Sequence, residues 1–183
     1  IGLEMADALT QRGLEVTLLS RTETVLPTVD PALGVLVGDE LRRHGVRVLT
    51  GLSATRIEQQ AGSSVSSRLS VTDSGGARHP ADLVIVAVGV RPASDLAGQA
   101  GAELGVRGAI AVTRRMQTSL PDVLAAGDCV ETYHRLLDQR VYISLGTIAH
   151  KQGRIAGENA LGGDREFAGA LGTQSLKVFD LAI

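Results

Sequence analysis

"IGLEMADALTQRGLEVTLLSR", Ile1 to Arg21, decides the fold class. Leu3, Ala6 and Leu9 recur at helical spacing, and Gly13 supplies the left-handed residue on which such a helix stops. "EVTLL", Glu15 to Leu19, follows at once as a short apolar strand. A helix that opens on a glycine and runs directly into a strand is the second half of a βαβ unit. The expectation is therefore an α/β chain whose first strand precedes Ile1. Gly2 then stands where a G-x-G-x-x-G turn has its third glycine, the one that lets helix and strand pack closely.

The same alternation continues downstream. In "VDPALGVLVGDELRRHGVRVL", Asp30 reads as an N-cap, Pro31 suits the first helical position, and Leu33, Leu36, Val37 and Leu41 share a face before Gly45. "VRVL" returns as a strand. From Ala54 to about Thr72 the pattern becomes polar and β-leaning, "ATRIEQ" and "SRLSVTD" being separated by "AGSSVSS" and closed by the turn "DSGGAR". This predicts an antiparallel meander inserted into the α/β domain. "DLVIVAVG", Asp82 to Gly89, is a continuous apolar run of the kind required by a parallel strand buried on both faces. A second α/β segment is predicted from Gly108: strands "AIAV" and "DVLAAG", then a helix in "LGTIAHKQGRIAGENALGG" carrying Ile148, Ile155 and Ala156, with Gly153 and Gly157 allowing close approach. The tail "FAGALGTQSLKVFDLAI" reads as a turn and a strand.

Composition narrows the function. The 183 residues carry 18 basic and 20 acidic side chains, a net charge of −2, and no Lys/Arg-rich run. No electrostatic footprint for nucleic acid or an anionic membrane is present. No apolar run reaches the ~20 residues of a membrane-spanning helix, and the N-terminal stretch has no signal-peptide pattern, so the expected location is cytoplasmic. One cysteine, Cys129, leaves no internal disulfide or Cys-x-x-Cys pair, and His44, His79, His134 and His150 have no ligand spacing. No metal site is expected.

In this order, "IGLEMADAL", "DLVIVAVGVRP", "TSLPDVLAAGDC", "SLGTIAHKQGRIAGENALGG" and "FAGALGTQSLKVFD" resemble the pyridine nucleotide–disulfide oxidoreductase family, and within it the group of coenzyme A-disulfide reductases, NADH oxidases and NADH peroxidases. The resemblance spans essentially the whole chain. It implies a Rossmann-like NAD(P)-binding domain with the inserted β-meander over residues 1–107, lacking its first strand. The C-terminal segment of an FAD-binding domain follows over 108–164, and the start of an α+β dimerisation domain over 165–183. The chain is thus expected to be a fragment without the N-terminal half, inactive alone and homodimeric when complete.

The resemblance also implies roles for individual residues. Asp128 ends a strand after Gly127. On spacing alone it is a turn or capping aspartate, but the family uses this residue to hold the FAD ribityl chain. The helix start at Leu145, Gly146 and Thr147 directs unpaired N–H groups forward, and in the family it faces the pyrimidine edge of the flavin. Ser144 stands where relatives often have proline, and Lys151 and Arg154 read as solvated or paired. For NAD(P), Glu4 resembles the acid that relatives place near the nicotinamide, an exposed helical glutamate being the alternative, and Gly89 allows the backbone close to the cofactor. An NAD-preferring site has Asp or Glu at the end of the second strand. Here Ser20 and Arg21 stand instead, a pair that accommodates a 2′-phosphate, although Arg21 can equally be a surface residue. NADPH is therefore expected to serve at least as well as NADH. Cys129 follows a buried strand beside a carboxylate, which disfavours a thiolate, so it reads as packing. The redox cysteine is expected upstream.

Three functions fit the sequence. The first is an FAD-dependent oxidoreductase passing hydride from NAD(P)H to FAD and on to a cysteine-based centre, with a disulfide, persulfide, peroxide or O2 as small-molecule acceptor. The second is a flavin reductase feeding an iron–sulfur protein, against which "GALGTQSLKVFD" argues. The third is a nucleotide-binding module without turnover.

Overall fold

The computed structural model describes residues 1–59 and 68–183, so the "AGSSVSS" linker lies outside the described residues. The chain forms two compact units, Ile1–Val88 with Ser175–Ile183, and Gly89–Gln174.

The first unit begins with α1 (Gly2–Gln11), which ends before Gly13 at φ +78°. Next come β1 (Thr17–Leu19), α2 (Pro31–Arg43) and β2 (Arg47–Leu49), and β1 and β2 pair in parallel with Thr17 opposite Arg47. Asp30 caps α2 as its sequence predicts, accepting the Ala32 N–H at 2.9 Å, and Pro31 takes the first helical position. The buried face of α2 differs from the sequence reading. Gly34, Val37, Gly38 and Leu41 point inward, whereas Leu33 and Leu36 are exposed. The cause is at Gly34: a Cβ there would lie 2.7 Å from the Val25 carbonyl oxygen, so the helix seats on its glycine stripe against the 24–25 loop.

The meander is present as β3 (Ala54–Gln59), β4 (Leu69–Asp73) and β5 (Arg78–Ala81), a three-stranded antiparallel sheet in that order. Asp73, buried beneath its closing turn, accepts the Gly75 and Ala77 amides and contacts His79 Nε2 at 2.8 Å. That contact, with the two amides, holds the Asp73 carboxyl below its ordinary value.

Two strand expectations are corrected. Asp82–Gly89 forms no ladder among the described residues, and Leu83, Val86 and Val88 are exposed. An apolar run is buried as a strand only where neighbours flank it, and β1 and β2 pair with each other alone. In the second unit, "AIAV" and "DVLAAG" make isolated bridges, Ile110 with Val130 and Leu124 with Gln117, rather than strands. Ile110 and Val112 of the first stretch nonetheless join the core with Met116, Val130, Ile148, Ile155 and Phe167, and Ala125 and Ala126 of the second pack against it.

The second unit contains α3 (Asp95–Gln99), the hairpin β6 (Thr132–His134) and β7 (Gln139–Val141), and α4 (Gly146–Ala160). A Cβ at Gly153 or Gly157 would meet nothing within 4 Å, so neither glycine serves the close approach expected of it.

The tail forms β8 (Lys177–Val178) and β9 (Leu181–Ala182), which turn through Phe179 at φ +51°. Val178 and Phe179 bury against Ala6, Val37 and Leu41, and Asp180 joins Glu40, Arg43 and His44. The tail therefore groups with the first unit, and the compact units meet at 88/89 and 174/175.

Candidate functional site

The second unit contains every residue read as an FAD contact. Gly127 takes φ +89°, and a Cβ there would stand 3.5 Å from the Ala149 Cβ in the first turn of α4. Glycine at this position lets the strand end close onto the helix. Its N–H donates to Gln152 Oε1 at 2.9 Å, so the Gly127 amide faces the protein and not a ligand.

Asp128 follows with its side chain exposed, and among the described residues its carboxylate makes no hydrogen bond or ion pair. Its carbonyl accepts the Tyr142 hydroxyl at 2.9 Å. Burial, followed by the nearby Asp128 charge, raises the Tyr142 phenol above its ordinary value, against an opposing hydrogen bond with Ser144. The phenol therefore stays protonated and donates. Cys129 is half-buried, packs against the core, and its thiol donates to the Ala126 carbonyl at 3.4 Å.

Leu145 is the N-cap of α4 in extended conformation with no side-chain cap, and Gly146 and Thr147 open the helix. A Cβ at Gly146 would meet nothing within 4 Å. The first amides of a helix carry a partial positive charge, and with no capping side chain here they suit an anionic or hydrogen-bond-accepting ring edge. An exposed carboxylate, one residue after a glycine packed on the first turn of an uncapped helix, matches the polar donors and acceptors of a flavin, so these residues fit FAD.

Gly2, Glu4, Ser20 and Arg21 lie in the first unit. A Cβ on Gly2 would stand 3.4 Å from the Ala87 Cβ, so α1 does pack closely on the 82–88 segment at its first residue. Glu4 is exposed in the first turn of α1. The Ser20 amide donates to the Leu49 carbonyl, and its hydroxyl lies 3.1 Å from that of Thr22, which in turn donates to the Thr24 carbonyl. Arg21 is exposed, and among the described residues it forms no ion pair. Gly89 begins the second unit at φ +102°, a left-handed conformation that favours glycine.

The sequence reading missed Gln152 and Tyr142. Gln152 had a signal: it falls between Ile148 and Ile155 on the buried stripe of α4, where a polar side chain requires partners. Tyr142 had none, because its partner is a backbone carbonyl fourteen residues away.

Residues 1–153 match the profile of the family described as pyridine nucleotide-disulphide oxidoreductase. The whole chain is 40% identical, over 184 aligned residues, to the NAD(P)H sulfur oxidoreductase (CoA-dependent) of Pyrococcus furiosus, and covers 40% of that protein. Among solved structures, an NAD-dependent persulfide reductase from A. fulgidus superposes with a TM-score of 0.89 at 39% identity, covering all of this chain and 33% of that one. An engineered water-forming NADPH oxidase bound to NADPH gives 0.87 at 27% identity, over 98% of this chain and 38% of that one. The chain thus spans about 40% of the length of the curated relatives it matches. Among the described residues no helix is long and apolar enough to cross a membrane. With an α/β fold of Rossmann type and a profile match over most of its length, the chain belongs to the pyridine nucleotide-disulphide oxidoreductase family.

Proposed function

We propose that this chain is part of an FAD-dependent NAD(P)H oxidoreductase that reduces a sulfur substrate such as a coenzyme A persulfide or disulfide. The observation that carries the reading is the exposed Asp128 carboxylate, unpaired among the described residues, one residue after Gly127, which packs against Ala149 in the first turn of the uncapped helix α4. FAD, when bound, supplies two-electron exchange between a hydride donor and a thiol or disulfide. The residues of this chain bind and orient. Asp128 accepts hydrogen bonds from the sugar-alcohol hydroxyls, and the Gly146 and Thr147 amides favour negative charge on the ring edge. Support for the acceptor class comes from the sulfur oxidoreductase and persulfide reductase among the relatives. In this reading the redox cysteine, the ADP-binding part of the flavin site and the greater part of the dimerisation domain lie in the rest of the whole protein.

For the reductant, we propose that NADPH is used at least as well as NADH. Ser20-Arg21-Thr22 presents a hydroxyl, a guanidinium and a second hydroxyl with no acid. The engineered NADPH oxidase offers a parallel: its substitutions include Asp to Ala, Ala to Arg and Met to Ser at three consecutive positions.

The test is Asp128→Ala in the whole protein. Flavin occupancy after purification is expected to fall, with persulfide reduction falling in proportion. Unchanged occupancy removes Asp128 from the site.

A further inference from the structure

Helix α4 carries a polar side chain where its packing stripe calls for an apolar one. Ile148, Gln152 and Ile155 follow at i, i+4 and i+7, and Gln152 is completely buried. A methionine would fill a similar volume without hydrogen-bonding demands. A buried amide must have its donors and acceptor met, and the partners of Gln152 are informative. Oε1 accepts the Gly127 N–H at 2.9 Å, and Nε2 donates to the Thr132 hydroxyl at 3.1 Å.

The turn that presents Asp128 is thereby held on both sides. On one side the Gly127 amide is tied to α4, and on the other the Asp128 carbonyl is tied to Tyr142. Gly127 sits in a left-handed conformation that its hydrogen bond keeps in place. Gln152 lies six residues beyond Gly146, roughly 9 Å along the axis at 1.5 Å per residue. The helix whose first amides are exposed is therefore the one that fixes the carboxylate's turn.

We propose that Gln152 is a positioning residue for the flavin. By binding the Gly127 amide it sets the Asp128 carboxylate relative to the N-terminal amides of α4, so that both engage one dinucleotide. The inference rests on the reading of Asp128 as a flavin contact. Gln152 itself, being buried, does not touch the cofactor.

The experiment uses the whole protein stripped of flavin, and compares Gln152→Met, Thr132→Val with Gln152→Met, and Asp128→Ala. Each is measured for FAD dissociation constant by flavin fluorescence and for the thermal midpoint of the apoprotein. Gln152→Met leaves the Thr132 hydroxyl and the Gly127 amide unpartnered, so its midpoint is expected to fall and its FAD dissociation constant to rise tenfold or more. Adding Thr132→Val removes the stranded hydroxyl. It is expected to restore part of the midpoint while FAD binding stays weak. FAD affinity that recovers along with the midpoint would make Gln152 a packing residue and overturn the inference. So would wild-type affinity in Gln152→Met when Asp128→Ala has lost it. Wild-type affinity in Asp128→Ala overturns the underlying reading instead, and the inference falls with it.

Discussion

Cys129 and Asp128 are consecutive, yet their surroundings differ. The cysteine is half-buried against Ile110, Val130 and their neighbours, and its thiol is engaged with the Ala126 carbonyl, while the aspartate is exposed and unpaired among the described residues. Cys129→Ala in the whole protein is expected to keep sulfur-substrate turnover within about twofold and to cost less than ~1.5 kcal/mol, as small apolar exchanges do. Steady-state turnover normalised to flavin content is the measurement, and a loss of orders of magnitude would move the chemistry onto the cysteine. At Ser20 the hydroxyl is already near that of Thr22, leaving room for charge to decide cofactor choice. A charge-assisted contact to a 2′-phosphate contributes about 1.5–3 kcal/mol, or roughly ten- to a hundredfold. Ser20→Glu should shift preference toward NADH by that order, as read from kcat/KM for both nucleotides. An unmodified enzyme already favouring NADH more than tenfold would contradict the assignment. Single residues were legible where local chemistry fixes them, as with Asp30 at its cap and Gly13 and Gly45 at helix ends. Gln152 was not read because "KQGR" looks like a solvated run until the spacing of Ile148 and Ile155 is counted through it.

At the scale of elements, periodicity located α1, α2, α4 and the meander, did not announce the five-residue α3, and misjudged what depends on distant partners. The 82–89 run has the composition of a central strand and pairs with no strand among the described residues, and α2 turned its glycines inward because a close neighbour selected them over Leu33 and Leu36. No local pattern announces that Val178 and Phe179 pack on α1 and α2. The polar side of that docking yields a pH prediction. Glu40, only 12% exposed, bonds Arg43 and accepts the Asp180 N–H, with His44 beside it. The Arg43 hydrogen bond foremost, then the Asp180 amide and the neighbouring charges, hold its carboxyl down at about 2, against 4.5 ordinarily. A folded-state value below the unfolded one means the stabilisation is complete above about 4.5 and is lost as pH falls towards about 2. Glu40→Gln should therefore flatten the acid limb of the thermal midpoint against pH in that window. A mutant with an unchanged acid slope would show that the tail's docking does not depend on this carboxylate.

For the whole molecule, the decisive question is how much of a flavin site one stretch of chain can make. Asp128 and the first amides of α4 supply a few polar contacts, each contributing about 0.5–3 kcal/mol. Association costs an estimated ~4–15 kcal/mol in lost translational and rotational freedom. Retention through gel filtration requires a submicromolar dissociation constant, roughly −8 kcal/mol or better. Those contacts fall short unless a phosphate cradle is added. A G-x-G-x-x-G turn provides such a cradle by pointing backbone amides at a pyrophosphate. None of the 22 glycines of this chain stands two positions from another, so no such turn occurs within the 183 residues. The chain alone is therefore expected to elute colourless after incubation with FAD, while the whole protein stays yellow and loses its flavin on Asp128→Ala. Absorbance of the protein peak at the flavin band decides it. A chain that remained yellow would mean that residues 1–183 bind the dinucleotide through contacts other than those at Asp128 and α4.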